Sequence, residues 1–134
     1  MTRFKLEDLD HVAITVSELA RSIDWYQSVL GMERCYREVW NECPAFMCLG
    51  NTGLALFPAD GGRAAPAPDS RTHRIVRHIA FRADRENFRQ AQETLRQRNI
   101  PFQFQDHTIS HSIYFRDPDG HQLEITTYDV GTDV

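Results

Sequence analysis

The order of strand and helix signals in this chain is written out twice. Asp10-His-Val-Ala-Ile-Thr-Val16 and Arg77-His-Ile-Ala-Phe-Arg-Ala83 share one order: histidine, aliphatic, alanine, apolar, polar, small. Their histidines, His11 and His78, lie 78 − 11 = 67 positions apart. A helical stripe follows each strand, Leu19, Ile23, Tyr26 and Leu30 in the first copy and Phe88, Ala91 and Leu95 in the second. These residues recur every three or four positions, the spacing of one helix face. Ser17 and Asp84 stand where N-caps belong. Gly31 and the Ile100-Pro101 pair stand where helices stop. Three strand candidates come after each helix. They fall near 33–40, 45–49 and 53–57 in the first copy, and at 102–105 and the two arms of 112–125 in the second. Self-similarity of this kind marks one supersecondary unit used twice. The expected fold is α+β within one domain spanning 1–134. Two paired βαβββ modules, about 7–58 and 75–128, would be joined by a linker at 59–74. Helices would pack outside open, curved, mixed sheets, and the inner faces would form a shared cleft.

Side chains alternate across a strand, so each face can be read from the sequence. Val12, Ile14 and Val16 share one face of the first strand, and His11, Ala13 and Thr15 the other. In the last hairpin, Asp117-Pro-Asp-Gly120 separates two apolar runs. Proline presets φ, aspartate favours turn starts and glycine accepts a positive φ, so this is a turn. Leu123 and Ile125 then face the core, and Gln122, Glu124 and Thr126 face away from it. A carboxylate held mid-strand among apolar neighbours needs a cation or a proton donor.

The remaining composition excludes several classes of function. The net charge is −4 and the basic residues are scattered, which argues against a nucleic-acid surface. No apolar run approaches the length of a membrane span, and no basic-then-apolar leader opens the chain. The expected location is the cytoplasm. Cys35, Cys43 and Cys48 are odd in number and lack the spacing of a metal finger. They are read as reduced, half-buried cysteines. Residues 58–72, with Asp-Gly-Gly and three prolines, have no period. They form a surface loop, or, on a sharper reading, a lid over a pocket.

His11 and His78 hold equivalent places and point away from the helix-packed faces, as Glu124 does. Two imidazoles and a carboxylate with open positions make a ligand set for a divalent transition metal, notably non-haem Fe(II). Such an ion acts as a Lewis acid and a template. Phe46, Phe57, Trp40 and Tyr114 either line an apolar pocket for a hydrophobic small molecule or simply fill the core.

The two His-led strands and the hairpin Phe-Arg-Asp-Pro-Asp-Gly-His-Gln-Leu-Glu together resemble the vicinal oxygen chelate superfamily, over about residues 7 to 128. That superfamily includes glyoxalase I, extradiol ring-cleaving dioxygenases, fosfomycin-resistance transferases and bleomycin-binding proteins. The resemblance implies paired βαβββ modules, a divalent metal, a small-molecule substrate and a homodimer. It carries the metal role onto His11, His78 and Glu124. Modules of one chain or of two chains complete the cleft in such proteins, so His11 meets His78 and Glu124 of its own or a partner chain. Glyoxalase I has a fourth ligand, a Glu in the last strand of its first module, but residues 53–57 here hold no carboxylate. The extradiol signature is matched by His107, Tyr114, Asp117-Pro118, Gly120 and Glu124. The implied function is therefore extradiol-dioxygenase-like, with Fe(II) or Mn(II) favoured and Zn, Ni or Co admissible. Tyr114 would hydrogen-bond a metal-bound substrate oxygen. His107 or His111 would serve as acid–base, with Asp106 tuning His107. The alternatives are a glyoxalase-like lyase or isomerase, a fosfomycin-type thiol transferase, and a bleomycin-resistance-like binding protein.

Overall fold

The computed structural model describes residues 3–41 and 43–131. It divides into two compact units, one ending at Ala65 and the other beginning at Pro66. The fold is α+β, with two open four-stranded mixed sheets and, among the described residues, three α-helices. No helix among the described residues is long and apolar enough to cross a membrane.

In the first unit, β1 (His11–Val16) is followed by α1 (Leu19–Ser28), β2 (Glu33–Cys35), α2 (Arg37–Trp40), β3 (Ala45–Leu49) and β4 (Thr52–Pro58). The sheet order is β1-β4-β3-β2, with β1 parallel to β4 and the other pairs antiparallel. The expected alternation in β1 is present, with Ile14 and Val16 buried and His11, Ala13 and Thr15 exposed. α1 buries Tyr26 of the stripe fully, and Ser22 beside it. Two local expectations are corrected. The N-cap of α1 is Glu18 and not Ser17, and its side chain makes no capping hydrogen bond. The strand expected over 33–40 stops at Cys35, because Tyr36 takes a left-handed φ of +60° and starts the short α2. β-branched and aromatic composition favours a strand, but a positive φ cannot continue one.

The cysteine reading is also corrected. Cys35 and Cys48 form a disulfide, with Cα atoms 6.0 Å apart. Cys35 pairs with Phe46 and Cys48 with Glu33 across β2 and β3, so the two cysteines are diagonal neighbours on one face. Cys43 is free and exposed. Spacing in sequence could not show this, since the pairing register of β2 on β3 decides which cysteines meet.

In the second unit, β5 (Ile79–Arg82), α3 (Arg85–Gln97), β6 (Gln103–Asp106), β7 (His111–Arg116) and β8 (Gln122–Thr127) repeat the plan. The sheet order is β5-β8-β7-β6, with β5 parallel to β8. Asp84 caps α3 as expected, its side chain accepting from the Asn87 amide at 2.8 Å. Phe88 and Leu95 are buried; fully burying side chains of this kind is worth about 1.5–3 kcal/mol each. The β7–β8 turn uses its motif as read. Asp117 Oδ1 accepts from the amides of Asp119 and His121, both at 2.9 Å, and Gly120 takes φ +88°. This fixes the register that sets Tyr114 opposite Glu124.

Candidate functional site

β8 is the middle of the site in the second unit. Leu123 and Ile125 are buried on its helix side, and Glu124 is buried on the other at 7% exposure. Both carboxylate oxygens are engaged. Oε1 lies 2.9 Å from His78 Nε2, and Oε2 accepts the Ser112 hydroxyl at 2.6 Å. That hydroxyl carries one proton, which goes to the charged acceptor. A charge-assisted hydrogen bond of this length is among the stronger kinds. Thr126 Oγ1 lies 3.0 Å from Ser112 Oγ and donates to the His111 carbonyl oxygen at 3.3 Å. His78 stands just before β5 with its side chain partly open at 41%. The pair is one nitrogen and one oxygen donor, the oxygen oriented by a hydroxyl. Two such donors can turn their lone pairs to a divalent cation, so the residues present fit one.

Tyr114 flanks this pair, its ring centroid 5.7 Å from that of His78. Its phenol oxygen is 2.9 Å from His107 Nε2. Burial holds the phenol above its ordinary titration range, and the nearby Glu124 charge adds to this, while Ser112 opposes. The group is therefore a neutral donor at physiological pH, not a base. His107 lies at the β6–β7 turn, where its amide bonds the Ser110 carbonyl at 2.8 Å. Asp106 does not attend His107, contrary to expectation. It lies 3.6 Å from His111 Nε2 and accepts from the Thr108 amide, because Asp106 and His111 are register partners. His73 Nδ1 is 2.9 Å from the Asp69 carbonyl oxygen, within a turn.

In the first unit, His11 Nδ1 is 2.7 Å from Asp10 Oδ2. With Nδ1–H donating to that carboxylate, the lone pair is left on Nε2, the arrangement common to metal-ligating histidines. The His11 ring meets the edge of Phe46 at 5.6 Å. Beside it opens a cavity of about 590 Å³ whose lining includes Tyr36, Trp40, Phe46 and Phe57.

His78, Glu124, Tyr114 and His107 thus stand on one unit, and His11 on the other. Among the described residues no three His, Cys, Asp or Glu side chains are grouped as a ready-made metal cage. Two contributors were not assigned a role from sequence. Asp10 is signalled only by its place before His11. The contact of Ser112 with Glu124 depends on the β7–β8 register.

The model of the Glyoxalase/Bleomycin resistance protein/Dioxygenase superfamily matches residues 8–125. Among curated proteins, the chain is 29% identical over 120 residues to the glutathione transferase FosA of Serratia marcescens, covering 90% of this chain and 80% of that protein. It is 30% identical over 125 residues to the metallothiol transferase FosB of Staphylococcus haemolyticus, covering 91% and 84%. Among solved structures, a glyoxalase/dioxygenase from Nostoc punctiforme superposes with a TM-score of 0.80 at 22% identity, covering 95% of this chain and 94% of that one. With the repeated βαβββ plan and a family match over nearly its whole length, this chain belongs to the Glyoxalase/Bleomycin resistance protein/Dioxygenase superfamily.

Proposed function

We propose that the protein is a metal-dependent enzyme of this superfamily that transfers a thiol to a small electrophile. The observation that carries the metal reading is the buried Glu124, bonded to His78 at 2.9 Å and oriented by Ser112 at 2.6 Å. The ligands are His78 and Glu124 with His11, supplied by the first unit of the same chain or of a second copy. A divalent ion held there supplies Lewis acidity to the substrate oxygens; Mn(II) and Fe(II) suit this donor set, and Zn, Ni and Co are also compatible with it. The protein's own groups do the rest. Asp10 fixes the His11 tautomer, and Ser112 occupies one oxygen of Glu124. Tyr114 stays a phenol and donates to the substrate oxygen that leaves as carbon–sulfur bond formation breaks the carbon–oxygen bond. His107 can take up the thiol proton or resupply Tyr114 through their 2.9 Å contact. Similarity to FosA and FosB, whose names specify glutathione and metallothiol transfer, supports the thiol. The cytoplasm, where low-molecular-weight thiols abound, is the compartment that suits this chemistry.

The test is thiol consumption by Mn(II)-loaded protein with a panel of epoxides under nitrogen. Turnover that Glu124→Gln abolishes is the expected result. A second reading, extradiol ring cleavage, draws on the Tyr114–His107 pair, which would serve a catechol oxygen equally well. No thiol consumption, together with a yellow product from catechols and O₂, would replace the first reading by the second.

A further inference from the structure

The cavity beside His11 has a composition of its own. In register, Phe46 on β3 lies opposite Ala55 on β4, Ala55 pairs with Ala13 on β1, and Phe57 follows two residues along on the same face. The middle of this face is therefore small and its margins are aromatic. Gly53 completes the small floor; a Cβ there would fall 2.7 Å from the Phe46 ring, so glycine is what lets that ring come this close to β4. Tyr36 and Trp40 close the far side. Their rings meet Phe46 at 5.5 and 5.9 Å and each other at 5.2 Å.

This aromatic wall is held at a local cost. Tyr36 has φ +60° and Asn41 φ +56°, so left-handed residues bracket the four-residue α2 that carries Trp40. A left-handed non-glycine residue costs about 1–2 kcal/mol. Yet the rings so placed stay open, Tyr36 at 54%, Trp40 at 43% and Phe57 at 37%. Core packing would have covered them; strained positions with exposed aromatic rings are where ligand contacts concentrate.

Charge narrows the ligand. Among the described residues no lysine or arginine lines this cavity, and the carboxylate that does, Asp10, is 82% exposed to solvent and accepts from His11. Arg34 and Arg37 line a different groove of this unit, beside α1. Away from a metal ion at His11, an anionic ligand would find no counter-charge among the described lining residues. A cation would find rings already packed on one another, Tyr36 edge-to-face with Trp40 and Phe46 and Trp40 tilted on Phe46, not spread as a box around it. A volume of about 590 Å³ accepts a ligand of one or two rings.

We infer that this cavity binds the body of a neutral substrate carrying a planar aromatic or similarly flat apolar group. This inference rests on the proposed function for one point only, that the ligand's reactive oxygens lie at the His11 end.

The test is equilibrium dialysis of the full chain, Mn(II)-loaded and chelator-stripped, against naphthol, naphthoate, naphthyl-trimethylammonium and methylphosphonate. In the chelator-stripped protein naphthol should bind about tenfold or more tighter than the two charged naphthalenes, since naphthoate would bury a charge with no cation beside it and the ammonium compound would meet only the solvent-screened Asp10. Methylphosphonate should not compete with it in the stripped protein. Phe57→Ala and Ala55→Leu should each weaken naphthol about fivefold or more, the first by removing a wall and the second by filling the floor. Naphthoate or the ammonium compound binding the chelator-stripped protein as tightly as naphthol would overturn the inference, and so would folded variants with unchanged affinity. Manganese retained in the same dialysis cells reports separately on the ligand set. Loss of manganese with naphthol selectivity kept would sink the metal reading alone.

Discussion

Glu124 shows how far one residue can be read. Its place between Leu123 and Ile125 sends it to the face opposite the core by strand period alone. Its need for a partner follows from the cost of burying a charge. The partners were only partly legible. His78 was legible as one of two equivalent histidines, and Tyr114 through the family resemblance that gave it a role toward substrate. Ser112 lies twelve positions from Glu124, and its 2.6 Å bond exists because β7 and β8 pair in one register. That bond yields a prediction. Ser112→Ala should weaken Mn(II) affinity by about 10–100-fold, the usual effect of removing a group that orients a ligand, as read by competition with a chelator. Unchanged affinity would leave Ser112 a packing residue. Asp10 is the corresponding support for His11, exposed and therefore weaker as an ion pair.

Among elements, β4 and α3 carry the clearest expectations. Gly53 on β4 has no room for a methyl group: a Cβ would meet the Met47 carbonyl oxygen at 2.4 Å as well as the Phe46 ring. Backbone cannot rotate away as a side chain can. Gly53→Ala should therefore cost about 1–3 kcal/mol, measured by urea unfolding, and should displace Phe46 from His11. At the start of α3, hydrogen bonds from Arg89 and then Gln90 hold the Glu86 carboxyl down to about 2 from its ordinary 4.5. A depressed carboxyl stabilises the fold above its unfolded value, and that contribution is lost as pH falls from there toward 2. Carbon NMR should find the Glu86 midpoint near 2, and Arg89→Ala should return it toward 4.5. A midpoint already at the ordinary value would show that these contacts do not persist in solution. Helix stripes and the β7–β8 turn were legible because they depend on neighbours within a few positions. The end of β2 was not. Its residues favour a strand, and contacts of the Tyr36 ring with Trp40 and Phe46 accompany the left-handed turn that ends it.

At the scale of the whole molecule, each unit's sheet is open and ends in two edge strands, β1 and β2 in one and β5 and β6 in the other. Unpaired edges invite pairing or coverage, and β6 is exposed along its length. Several large apolar side chains are also exposed, Leu6, Leu9, Val76 and Ile109 among them. Light scattering at micromolar concentration should give twice the 15.5 kDa of one chain; a mass near one chain would rule out the dimer. The duplicated plan, the two histidine-led strands and the placing of Glu124 follow from the sequence by itself, because strand and helix periods sort side chains to faces without reference to anything distant. Which side chains then touch was decided by tertiary structure. The Cys35–Cys48 bridge, the Ser112–Glu124 bond and the aromatic wall around Ala55 each join residues from different strands. Contacts of that kind depend on pairing register and on backbone conformations such as that of Tyr36, which packing selects and local propensity does not.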